Sequence, residues 1–250
     1  MESARKLGEK LLIIEVLEST NQTLRELAEG GEPEGTVVVA EEQRAGRGRL
    51  GRGWASPRGG LWFSVLLRPP GPPADAGVLS LLAGVAVARS LRNELGIRSS
   101  LKWPNDVLVE GKKLCGILSE SRSGPGLDYV VLGFGINANF LVSALPEDLR
   151  RSAISVKEVL REPVDRLAIL RSILNDLERL YGAFLAGGSA GIISEWKELA
   201  VTLGRQVRVE TATGLVEGRA EDVDGSGALL VRTPEGPVTV SAGDCVHVQG

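Results

Sequence analysis

Apolar and polar residues alternate along this chain in a way that predicts elements one after another. LLIIEV at 11–16 has a strand pattern. Ser19, Thr20 and Asn21 then supply oxygens suited to a helix N-cap, and TLRELAEG runs to Gly30, where a helix can end. TVVVAEE at 36–42 is a continuous apolar run and predicts a buried strand. LWFSVLLR at 61–68 predicts another, PPGPP at 69–73 breaks it, and Val78 to Leu95 shows helical spacing closed by Gly96. Three strand-like runs follow, at about 99–109, 113–121 and 128–135, with Glu110-Gly111 turning the first two into a hairpin. The sheet is therefore expected to be partly antiparallel.

Asp165 to Leu185 is the clearest helix, with Leu167, Leu170, Leu174, Leu177, Tyr181 and Phe184 expected on one face. A shorter helix is expected at about 191–199. After Leu203-Gly204 the texture changes to short alternating strands, QVRVET, LVEGRAEDV, ALLVRT, PVTVS and CVHV, which suggest a small closed barrel. This predicts a principal domain over 1–200 and a C-terminal one over 203–250, a division compatible with a chain of 250 residues.

One stretch escapes both periods. RAGRGRLGRGWASPR at 44–58 holds five arginines, four glycines and no acid, and predicts a mobile basic loop. Glycines let backbone amides approach a polyanion while guanidinium forks grip its oxygens. It is no P-loop, because GRGRLGRG lacks the GK[ST] ending, and no helix opens at its third glycine as a dinucleotide fingerprint requires. The whole chain carries a net charge of −3, so any polyanion site is local and broad nucleic-acid binding is not expected.

The remaining composition narrows the class. No apolar run reaches membrane-spanning length, and no export signal is visible at the N-terminus. Cys115 and Cys245 lie far apart with no histidine cluster, which fits packing roles in a reducing cytoplasm. The single histidine, His247, is expected at an edge or surface and has no assigned role.

Two further segments carry candidate chemistry. In LKWPNDVLVEGKKLCGILSES a rigid Trp-Pro bend presents Asn105 and Asp106, and the hairpin returns Lys112 and Lys113 beside them. A lysine there can act as a point charge for a carboxylate or phosphate. VVLGFGINAN at 130–139 is a strand whose glycines leave room for a flat ligand.

ESTNQTL, EEQRAGRGRLGRGWASPRGGLWFSVLL, KWPNDVLVEGKKLCGIL and GFGINAN, in this order, resemble the biotin protein ligases. The resemblance implies an α/β (α+β) fold related to class II aminoacyl-tRNA synthetases, a mixed sheet flanked by helices with an SH3-like C-terminal barrel. It implies biotin contacts at Ser19, Thr20, Asn21, Gln43, Gly46, Arg47, Gly48, Arg49, Lys113 and Gly116, with Gly133 and Gly135 letting the ligand lie on the sheet. ATP contacts are implied at Arg49, Arg52, Trp54, Asn105, Lys113 and Asn137.

The implied reaction activates biotin with ATP as biotinyl-5'-AMP and then transfers it to a lysine of a biotin carboxyl carrier protein domain. Lys113 and Arg49 would stabilise the charge, Asp106 would help orient or deprotonate the acceptor amine, and Mg²⁺ would accompany the phosphates with no protein ligands assigned. The resemblance begins within the first dozen or so residues, whereas many bacterial relatives carry an N-terminal helix-turn-helix domain. DNA is accordingly not an expected partner, and a homodimer is expected only by resemblance. A lipoate or octanoate ligase and a non-enzymatic regulator are the competing readings.

Overall fold

The computed structural model describes residues 7–72, 75–124 and 126–248. The first six residues of the N-terminal segment and Pro73 of the proline-rich break lie outside them. A seven-stranded sheet has the order β1-β2-β3-β7-β6-β5-β4. Its strands are β1 (Leu11–Leu17), β2 (Val37–Gln43), β3 (Leu61–Leu67), β4 (Ser100–Lys102), β5 (Asp106–Val109), β6 (Lys112–Ser123) and β7 (Leu127–Ile136). β1 and β2 run parallel because α1 (Thr20–Glu29) crosses between them, and the other neighbours are antiparallel. The run expected at 99–109 is two strands, because the backbone turns at Trp103–Asn105. The Glu110-Gly111 hairpin is present, with φ of 53° and 74°.

One face of the sheet carries α2 (Asp75–Leu95), α5 (Arg166–Gly187) and α6 (Ala190–Leu199). The alternation on β2 and β3 sends Val37, Val39, Leu61, Phe63, Val65 and Leu67 into this main core. On α5 the buried stripe includes Ile169, Ile173 and Leu180 beside the expected leucines, while Leu167 is 43% exposed. Leu167, in the first turn after the Asp165 N-cap, therefore does not join the buried stripe expected of it.

The other face shows where a site can form. Below α1 it is filled by Leu24, Val38, Leu66 and Val131, and at the far end by Ala40, Trp62 and Phe140. Between these clusters the same face reads Ser64 on β3, Gly133 and Gly135 on β7, and Gly116 on β6. Leu118 of β6, paired with Gly133, is the large side chain in this row of small ones.

A second, antiparallel sheet has the order β11-β10-β9-β8-β12, from β8 (Gln206–Thr211), β9 (Gly214–Val223), β10 (Leu229–Thr233), β11 (Gly236–Val240) and β12 (Asp244–His247). It docks on the β4–β5 turn. The Trp103 indole, 1% exposed, donates to the Gly227 carbonyl at 3.0 Å, and its backbone N–H donates to Thr202 Oγ1 at 2.9 Å.

His247 is on β12, the edge strand of this sheet as expected, but it is half-buried in the junction, with Nε2 3.1 Å from Thr202 Oγ1. Burial, reinforced by the charges of Lys102 and Arg205, lowers its pKa from 6.5 to about 4. The unfolded chain therefore binds the proton first, so the stability present above pH 6.5 is lost as pH falls towards 4. In urea titrations, wild type should lose stability relative to His247→Gln across that window, and a pH-independent difference would show that the ring is not held neutral.

Candidate active site

The gap on the second face opens into a cavity of about 250 Å³, walled by the β1–α1 junction, the arginine loop, the β4–β5 turn and residues of the C-terminal sheet. Every site residue expected from the sequence lines it except Gly46. Gly46 is buried behind the loop, where a Cβ would overlap the Trp54 carbonyl and Ser56 Oγ. It serves the loop's path.

At one end the wall is polar. Ser19 is the N-cap of α1 by backbone geometry, but its side chain makes no capping bond, which corrects the expectation for that hydroxyl. Thr20 and Asn21 turn inward and are 3% exposed. Gln43 Oε1 accepts from the Thr20 N–H at 2.8 Å, and its Nε2 donates to Ser56 Oγ at 2.8 Å.

The floor differs from the expectation that its glycines face a ligand directly. A Cβ on Gly133 would overlap Asn21 Oδ1, and one on Gly135 would come 2.5 Å from Trp54 Nε1. A Cβ on Gly116 would meet the same indole at 2.8 Å. The glycines thus seat Asn21 and Trp54 against the sheet, and those side chains form the floor. Trp54 Nε1 is buried and has no hydrogen-bond partner.

The arginine loop has a ladder of its own. Gly48 N–H donates to the Arg52 carbonyl at 2.7 Å and Trp54 N–H to the Gly46 carbonyl at 2.8 Å, with Leu50 and Gly51 at φ of 54° and 73° at the tip. Each arginine then reaches a different element. Arg47 donates to Gln22 on α1 at 3.1 Å, Arg49 to Asn105 at 3.4 Å, and Arg52 pairs with Asp244 of β12 at 2.7 Å.

Among the described residues Arg49 has no carboxylate at ion-pair distance, and burial lowers its pKa despite Asp106 and Asp244 farther off. Lys113 is half-buried. Its Nζ lies 2.6 Å from Asp106 Oδ1, off the direction of a hydrogen bond, and 5.0 Å from the Trp54 ring centroid. Asn105 and Asn137 both spend their N–H groups on the fold, Asn105 on the Ile117 carbonyl at 2.6 Å and Asn137 on the Ile154 carbonyl at 3.1 Å.

The other end of the cavity was missed by sequence reasoning. Leu145, Leu149, Ser152 and Ala153 line it, from a segment that includes α3 (Glu147–Arg150) and leads into α4 (Val156–Leu160). The signal was available: Ser155 and Glu158 form a reciprocal capping box at the start of α4. Gly243, Asp244 and Cys245 of the C-terminal sheet also line the cavity, and only docking brings them there.

Two family models match this chain, the Biotin/lipoate A/B protein ligase family over residues 13–137 and the Biotin protein ligase C terminal domain over residues 202–248. The bifunctional ligase/repressor BirA of Bacillus subtilis is 38% identical over 240 residues, covering 95% of this chain and 74% of that protein. A biotin--[acetyl-CoA-carboxylase] ligase of Mycobacterium tuberculosis is 38% identical over 92% of this chain and 86% of its own length. The structure of biotin protein ligase from Aquifex aeolicus in complex with biotin and ATP superposes with a TM-score of 0.83 at 30% identity, covering 97% and 100% of the two chains. The chain belongs to the biotin protein ligases.

The floor geometry is open to a direct check. Trp62, Trp103 and Trp196 are at most 2% exposed, so Trp54 should dominate acrylamide quenching of tryptophan emission. Gly135→Ala should displace the indole and increase quenching, with no increase when Trp54→Phe is also present. Unchanged quenching would show that Gly135 does not hold the seat of Trp54.

Proposed function

We propose that the cavity binds biotin and ATP together, forms biotinyl-5'-AMP with release of pyrophosphate, and passes biotin to a lysine of a biotin carboxyl carrier protein domain. The observation that carries this reading is Arg49, a half-buried guanidinium with no carboxylate at ion-pair distance among the described residues, in the same cleft as Lys113. An uncompensated cation in a desolvated place favours an anionic ligand, and the reaction brings two of them together.

Biotin's ring lies at the polar end among Ser19, Thr20, Asn21 and Gln43, and its tail runs over the glycine-seated floor towards Arg47, Gly48 and Arg49. The adenine lies near Trp54, Asn105 and Asn137, with Leu145 and Leu149 as an apolar wall. The carboxylate oxygen attacks the α-phosphorus as the bond to pyrophosphate breaks. Lys113 and Arg49 offset the repulsion between the two anions and the charge growing on the leaving group.

Arg52 can exchange Asp244 for a phosphate, since an exposed pair of this kind contributes only about 0–1 kcal/mol. In the second step the carrier amine attacks the acyl carbon and AMP leaves. Asp106, released when Lys113 turns to the phosphate, can accept the amine's proton. Among the described residues no group of three or more metal-ligating side chains occurs, so Mg²⁺ would be held through the phosphates.

The same reading assigns residues up to 200 to catalysis and those from 203 to the C-terminal unit. It places the protein in the cytoplasm, where the buried free thiols Cys115 and Cys245 persist, and extends to a homodimer by family resemblance. No helix among the described residues is long and apolar enough to cross a membrane.

Lys113→Ala should slow biotin-dependent ATP–pyrophosphate exchange by about 100-fold or more while circular dichroism stays native, as expected for loss of a preorganised charge. Near-normal exchange would remove Lys113 from the mechanism. Arg47→Ala should raise the KM for biotin and Arg49→Ala chiefly that for ATP. Identical effects on both substrates would show that the loop does not divide its arginines in this way.

A further inference from the structure

Behind the polar end of the cavity lies a chain of groups in which Ser64 and Glu120 have so far been given no role. Asn21 Nδ2 donates to Glu120 Oε2 at 2.8 Å and to the Leu118 carbonyl at 3.3 Å. Glu120 Oε1 accepts from Arg25 Nη1 at 3.2 Å. On the opposite side, Ser64 Oγ lies 2.6 Å from Asn21 Oδ1 and 2.7 Å from Thr20 Oγ1. Ser64 is fully buried and Glu120 stands on β6; neither lines the cavity.

Proton accounting gives this chain a direction. A carboxylate and a carbonyl can only accept, so the amide nitrogen of Asn21 must face Glu120 and Leu118, and its oxygen must face Ser64 and the floor over Gly133. Ser64 has one proton, and Asn21 Oδ1 has none to offer, so Ser64 donates to Asn21. The Thr20 hydroxyl donates to Gln43 Oε1 at 3.1 Å, beside the Thr20 N–H on the same oxygen, so Thr20 Oγ1 also faces Ser64 as an acceptor. Both inward oxygens, Asn21 Oδ1 and Thr20 Oγ1, are left with lone pairs for the cavity.

We propose that Glu120 and Ser64 are positioning residues that make this end of the cavity an acceptor array, selecting a ligand ring that carries N–H donors, as a cyclic urea does. The proposal rests on the biotin reading above and deepens it. Glu120 anchors the array because its two oxygens are divided between Arg25 and Asn21. In Glu120→Gln, the Arg25 guanidinium claims the new amide's oxygen, and its NH₂ is turned towards Asn21. Asn21 must then flip and present NH₂ groups to a ligand that also offers N–H. Adding Asn21→Asp relieves that conflict, because a carboxylate accepts from Gln on one side, from Ser64 on another, and still offers an acceptor to the cavity, losing only the longer bond to the Leu118 carbonyl.

Biotin-dependent ATP–pyrophosphate exchange tests this with biotin and ATP varied separately. Glu120→Gln should raise the KM for biotin by about 10- to 100-fold, the loss associated with a hydrogen bond to a charged group, with the KM for ATP and the melting temperature unchanged. The Asn21→Asp/Glu120→Gln double variant should recover most of the biotin KM. An unchanged biotin KM in Glu120→Gln, parallel rises in both KM values with a fall in melting temperature, or no recovery in the double variant would each overturn the proposal. Absence of biotin-dependent exchange in the wild type would overturn the biotin reading itself, so the two failures are distinguishable.

Discussion

The structure depends on one interruption in side-chain size. Along the sheet face that meets α1, Leu66 and Val131 give way to Ser64, Gly133, Gly135 and Gly116, with Leu118 among them, and the core resumes at Trp62 and Phe140. Close packing tolerates few voids larger than a water molecule, so a face that stops offering bulk must be filled by something other than core. Asn21 and Trp54 enter first, seated on the glycines, and the remaining space is the cavity. The opposite face has no such interruption and carries the core that makes the sheet rigid.

The cations around this cavity explain why three parts of the chain converge on it. Arg47, Arg49 and Arg52 leave one short loop and reach α1, the β4–β5 turn and β12. Of the three, among the described residues, only Arg52 pairs with an acid, and Arg49 is the one whose pKa is lowered by burial. The C-terminal sheet therefore takes part in the site, since its Asp244 holds Arg52 and its attachment through Trp103 stiffens the turn that presents Asn105 and Asp106.

Most elements were legible because period and punctuation agreed. β2, β3 and α5 are strongly apolar with clear boundaries, and Gly30, Gly96 and Asp165 stand where caps were expected. The differences have specific causes. The Ser19 hydroxyl makes no capping bond, and at this helix start against the cavity Gln43 takes the Thr20 N–H. The run at 99–109 divides because Trp103 is drawn into the junction with the second sheet. The wall from Leu145 to Ala153 went unread because its helices are only four and five residues long, too short for a period to emerge.

The sequence by itself determined the strands and long helices, the basic loop, the hairpin carrying Lys113, and the motifs that mark the family, since each is written in residues close together along the chain. Tertiary structure alone decided that Lys113 pairs with Asp106 while Arg49, among the described residues, has no carboxylate at ion-pair distance, that Gly46 packs behind the loop, and that Asp244 meets Arg52 across 192 positions. It alone joined Glu120, Asn21, Ser64 and Thr20 into one chain of proton donors and acceptors. Burial and pairing depend on which strands become neighbours, and local patterns specify what a residue can offer without specifying what will stand opposite it.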